Sequence, residues 1–107
     1  EYQDRLLNPL GQNNDFFGSS VSIAGDYAIV GAVEDDENGL IDNGSATIFK
    51  RIETIWYPHQ KFSYPATYYG NNTRFGTSLS INDNQRFVVG APELFSRKGM
   101  VFFGTAK

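Results

Sequence analysis

The sequence contains no cysteine. Disulfides, thiolate nucleophiles and cysteine-ligated zinc are therefore excluded. It also lacks a basic excess: Lys and Arg number 9 against 12 Asp and Glu, a net charge of −3. A nucleic-acid surface needs clustered cations to neutralise phosphates, so that class of partner is not expected. Nowhere is there a run approaching the ~20 apolar residues that span a bilayer, and no basic amphipathic helix is legible. Histidine occurs once, as His59, between Pro58 and Gln60. No nucleophile motif, phosphate loop or metal-binding histidine cluster accompanies it, so enzymatic activity is not expected. The acidic neighbours Asp35 and Asp36 point apart on an extended chain and make a poor glycosidase pair.

What is present suggests one small β domain. The chain has 107 residues, 40% hydrophobic and 15% aromatic, with 11 Gly. That is enough apolar material for a core in a single domain spanning 1–107. The chain opens on Glu1, and its one methionine is Met100. Processing of a targeting segment, or excision from a longer polypeptide, would both explain this.

An internal repeat organises the chain. Phe17-Gly18 and Val30-Gly31-Ala32 recur as Phe75-Gly76 and Val89-Gly90-Ala91-Pro92. After each Phe-Gly, apolar residues alternate with small polar ones: Val21 and Ile23 in the first copy, Leu79 and Ile81 in the second. That period of two predicts strands with one buried face. Turns follow at AGDY (24–27) and NDNQR (82–86), both rich in residues that tolerate left-handed backbone. Next, YAIVGA and RFVVGA read as strands buried on both faces. Third strands are predicted at 44–52 and 99–104. Fourth strands are predicted at 59–64 and, before the first Phe-Gly, at 2–7. The copies divide near residue 57, giving repeat 1 as about 1–57 and repeat 2 as about 58–107. The fold class expected is all-β: two four-stranded antiparallel units of the kind that build propellers and arrays.

The paired Phe-Gly … Gly-Ala(-Pro) pattern resembles the FG-GAP repeat, and the resemblance runs over essentially the whole chain. Val33 stands in the first copy where the pattern has proline. The resemblance implies propeller blades, as in integrin α-chains and many extracellular proteins, usually seven to a ring. It implies a secreted or extracellular location and roles in structure or cell adhesion. Many members bind Ca²⁺ in an acidic loop between the first two strands. Here that loop is only 24–27 or 82–85 and poor in carboxylates, so the usual calcium site is not carried over.

A different acidic loop, 34–45, offers hard oxygen ligands in Asp35, Asp36, Asn38 and Asp42. It is a candidate Ca²⁺ site beside the plainer reading of a solvated acidic loop. The matching segment, 93–99, carries one acid and two cations, so no metal or other cofactor is required. Asn43-Gly44-Ser45 and Asn71-Asn72-Thr73 fit the N-glycosylation pattern, making Asn43 and Asn71 candidate glycan sites. Trp56, Tyr57, Tyr64, Tyr68 and Tyr69 could stack on sugars in a lectin-like module, or simply pack the core.

Two blades cannot close a ring, and each leaves an apolar face for a neighbour. The second copy also ends without a fourth strand. An open strand edge presents unpaired N–H and C=O groups. Strand 2–7 of one molecule, with Tyr2, Leu6 and Leu7, is predicted to complete the edge formed by Val101, Phe102 and Phe103 of another. The partner expected is therefore a second copy of the chain, in a head-to-tail homopolymer with a filament favoured over a ring. The alternative is two blades of a larger secreted adhesin that binds protein or glycan.

Overall fold

The computed structural model describes residues 5–7, 16–33, 44–63, 73–92 and 99–106. Among them there is no helix, and seven strands form two antiparallel sheets. The first sheet is β1 (Phe17–Ala24), β2 (Tyr27–Ala32), β3 (Ser45–Ile52) and β4 (Ile55–Phe62), in chain order. The second is β5 (Ser78–Ile81), β6 (Arg86–Ala91) and β7 (Met100–Thr105), also in chain order. Adjacent antiparallel neighbours need only short hairpins, which suits a chain rich in turn residues.

The hairpin turns follow from local chemistry. Gly25 takes φ 57° between β1 and β2, where an L side chain would be strained. Between β5 and β6, the Asn82 side-chain Oδ1 accepts the N–H groups of Asn84 and Arg86, both at 3.0 Å. The Gln85 N–H returns to the Asn82 carbonyl at 2.9 Å, and Gln85 itself takes φ 61°. That is a turn closed by a residue in the left-handed region, the position glycine favours. Replacing Gln85 with Gly relieves about 1–2 kcal/mol of backbone strain against about 0.4–1 kcal/mol of added unfolded-chain entropy, so a net gain of about 0.5–1 kcal/mol is expected. A urea titration showing no gain would contradict this.

β4 lies where a fourth strand is predicted but begins at Ile55, four residues earlier than expected. Pro58 obscures it in the sequence, because proline removes a ladder donor. The structure accommodates Pro58 opposite Phe49, beside a register shift at Ile48/Phe49 and on the outer strand of the sheet. Edge strands and bulges are where proline is tolerated. The predicted strand over 2–7 is not formed at its described end: Arg5, Leu6 and Leu7 lie outside any strand, with Leu7 exposed. Tyr2 lies outside the described residues.

The core sits between the two sheets. Ile29, Ala46 and Ile48 of the first sheet pack with Phe75, Ile81, Val89 and Ala91. Four aromatic rings seal it. Phe62 stacks on Phe87 with centroids 5.0 Å apart, and Phe75 lies 6.3 Å from Phe62 and 5.2 Å from Phe102. Offset and edge contacts of this kind add to simple burial.

One sequence expectation holds for only one copy. β2 is buried at every residue, as the continuous apolar run predicts. β6 has the same pattern but buries only Val89 and Ala91. The residues are equivalent; the neighbours are not. The second sheet packs on one face of the first, and its own corresponding face is covered by nothing among the described residues.

Candidate interaction surface

Each Phe-Gly forms a four-residue turn. The Ser19 N–H donates to the Phe16 carbonyl at 3.0 Å, and the Thr77 N–H donates to the Arg74 carbonyl at 3.2 Å. The backbones match closely: φ is 57° at Phe16 and 54° at Arg74, then 95° at Gly18 and 96° at Gly76. Glycine is needed at the third position because a turn of this type requires positive φ there. The repeat is therefore present in backbone geometry as well as in residue identity.

The second turn docks on the first sheet. The Ser20 Oγ donates to the Gly76 carbonyl at 2.6 Å, and the Ile81 N–H donates to the Ser22 Oγ at 3.2 Å. Gly44 pairs with Phe75 in an isolated parallel bridge. The approach is backbone to backbone, so side chains are excluded. A Cβ on Gly31 would strike the Gly76 carbonyl oxygen, and one on Gly76 would lie 2.5 Å from the Ser45 carbonyl oxygen. A Cβ on Gly44 would strike Phe75. Gly44 and Gly76 do two jobs, left-handed backbone and close approach, whereas Gly31 serves close approach alone. Their sequence pattern points to close approach but not to the partner.

Residues 2–49 match the family model described as the FG-GAP repeat. That stretch is similar to an FG-GAP repeat. No curated protein matches the chain. FG-GAP repeats are typical of extracellular, propeller-type adhesive modules, and no helix among the described residues is long and apolar enough to cross a membrane.

The strand register relates the first copy of the internal repeat to the second position by position. Ser20, Gly31 and Ala46 lie side by side on the face that receives the second sheet, as do Ser22, Ile29 and Ile48. Ser78, Gly90 and Val101, and Ser80, Val88 and Phe103, are their equivalents. Ala46 and Ile48 are 0% exposed, whereas Val101 is 54% and Phe103 81% exposed. Two clefts lie along this second face. One, of about 390 Å³, is lined by Ser78, Gly90, Pro92, Gly99 and Val101 among others. The other, of about 420 Å³, includes Ser80, Val88 and Phe103 in its lining.

Of the residues expected to mediate assembly, Val101 and Phe103 are thus on the exposed face. Phe102 alternates to the other side and packs between the sheets. The acidic loop with Asp35, Asp36, Asn38 and Asp42, and the sequons at Asn43 and Asn71, lie outside the described residues. So do Tyr64, Tyr68 and Tyr69. Trp56 and Tyr57 are consecutive on β4 and point to opposite sides. The Arg51 guanidinium lies 5.6 Å from the Trp56 ring centre, covering a face a sugar would use. His59 packs edge-on to Tyr27 at 6.1 Å.

The residues that sequence reasoning missed are Ser78 and Ser80. Their equivalents Ser20 and Ser22 carry the hydrogen bonds between sheets. The signal was there, in serines alternating with apolar residues in both copies, but it reads as an ordinary solvent face.

Proposed function

We propose that this chain is a secreted structural or adhesive subunit, built of two propeller-type blades, that polymerises head to tail. One observation carries the reading. The second sheet exposes the same surface that the first sheet uses to hold its neighbour, including apolar Val101 and Phe103. Large exposed apolar residues clustered on one face mark an interaction site. β7 is also an outer strand of its sheet among the described residues, a position suited to strand addition by residues 2–7 of a neighbour. Because the two contacting surfaces differ, the contact is heterologous and propagates unless rotation closes it. The reading assigns the chain no catalysis, and glycans at Asn43 and Asn71 would suit an extracellular surface.

A second reading has its own support. The surface described above is filled, in the first sheet, by the next repeat of the same polypeptide. Two blades within a larger secreted adhesin would use it the same way. Electron microscopy of native material, with its chain mass, tests the proposal. Filaments of 11.9 kDa chains are expected. Dispersed particles of single chains would overturn it.

A further inference from the structure

The geometry points to a defined socket on the second sheet that takes the Phe-Gly turn of a second copy of this chain, residues 16–19, with the β1 strand behind it. This deepens the assembly reading above and rests on it.

The contact inside the chain shows what such a surface binds. In the first sheet, Ser20 supplies a hydroxyl donor, Gly31 leaves room for backbone, and Gly44 pairs with the incoming phenylalanine. The second sheet repeats all three. Ser78 lies beside Gly90, close enough that a Cβ on Gly90 would be 2.6 Å from the Ser78 Oγ, as Gly31 crowds Ser20. Gly99 precedes β7 with φ 79°, as Gly44 precedes β3 with φ 82°. These residues line the 390 Å³ cleft. Ser80 then stands where Ser22 accepts a strand N–H, at the 420 Å³ cleft beside Val88 and Phe103.

The matching plug is on the same molecule and is exposed along β1, while Val30 and Phe49 on the same face behind it are buried. The turn at 16–19 has the backbone of the turn at 74–77, and a Cβ on Gly18 would meet nothing within 4 Å. Val21 and Ile23, both 66% exposed, occupy the places of Leu79 and Ile81, which pack against the first sheet. β5 is the strand that lies against β1 and β2 in the internal contact, and β1 is its equivalent. In the assembled pair the Ser78 hydroxyl donates to the Gly18 carbonyl, and the Ser80 hydroxyl accepts from the Ile23 N–H.

Two capped variants test this. Phe103→Lys blocks the socket and Ile23→Lys blocks the plug, each at an exposed position that leaves the fold intact. Sedimentation should show wild type growing with concentration and each variant alone at 11.9 kDa. An equimolar mixture should form a heterodimer and stop there, because one socket and one plug remain. Ser78→Ala should weaken association about fivefold, the loss of one neutral hydrogen bond, which a merely apolar patch would not feel. Wild-type assembly unchanged by Phe103→Lys overturns the socket and leaves the assembly reading standing. A wild type that stays monomeric into the millimolar range overturns both. A native polypeptide that carries a third copy in the socket overturns the second-copy assignment alone.

Discussion

Gly76→Ala is expected to lower the melting midpoint by on the order of 15 °C, and Gly18→Ala by less than half of that. The two glycines hold the same place in the same turn, at φ 96° and 95°. Any L residue there carries about 1–2 kcal/mol of backbone strain. Their surroundings differ. A methyl group on Gly18 meets nothing within 4 Å, whereas on Gly76 it lies 2.5 Å from the Ser45 carbonyl oxygen and 3.4 Å from the Gly31 Cα. Both of those neighbours belong to strand backbone, which cannot rotate aside. The second sheet must move off the first, straining the Ser20–Gly76 hydrogen bond and the bridge between Gly44 and Phe75. Overpacking of this sort costs about 1–3 kcal/mol beyond the strain. A small domain is stable by only about 5–15 kcal/mol, so the loss is large. Urea titrations of the two variants isolate the inter-sheet part by difference. Equal losses would mean that the close approach of the sheets contributes nothing to stability.

The difference between Gly18 and Gly76 also marks what the sequence can and cannot disclose. The all-β class and most strand positions were legible because they rest on local signals: alternation at Val21 and Ile23, the apolar run over Ala28, Ile29 and Val30, and turn residues at Gly25 and 82–85. The Phe-Gly pair reads as the start of a strand, and the turn with positive φ at Gly18 and Gly76 emerges only from the structure. β4 was only half legible. Its proline reads as a break, and its tolerance depends on an edge position that only the assembled sheet defines. The surface was hardest of all. Ser20 and Ser78 are indistinguishable in sequence, each one residue from its neighbour in an alternating strand. One holds the next unit and the other is exposed. Which of two equivalent faces is covered among the described residues is set by the neighbouring sheet, not by any residue within the strand. The same logic explains why β2 is buried on both faces while β6, with nearly the same sequence, is not.

The most consequential comparison sets Ile48→Ala against Phe103→Ala. These positions are equivalent in register: Ile48 pairs with Ile29, and Phe103 with Val88. Ile48 is 0% exposed between the sheets, so truncation leaves a cavity and should cost about 2–5 kcal/mol at any protein concentration. Phe103, at 81% exposure, loses almost nothing in a dilute single chain, where about 0.5 kcal/mol is the expected bound. Association changes that balance. A partner that binds only the folded chain raises the midpoint as concentration rises. If Phe103 is buried by a neighbour, its removal should cost at least about 2 kcal/mol of association, roughly a thirtyfold weaker complex. Melting curves across a hundredfold range of concentration therefore separate the two roles. Ile48→Ala should shift every curve down by the same amount. Phe103→Ala should match wild type when dilute and fall progressively behind it when concentrated. A wild-type midpoint that ignores concentration would leave Phe103 as a solvent-exposed aromatic and the chain as a self-contained pair of sheets.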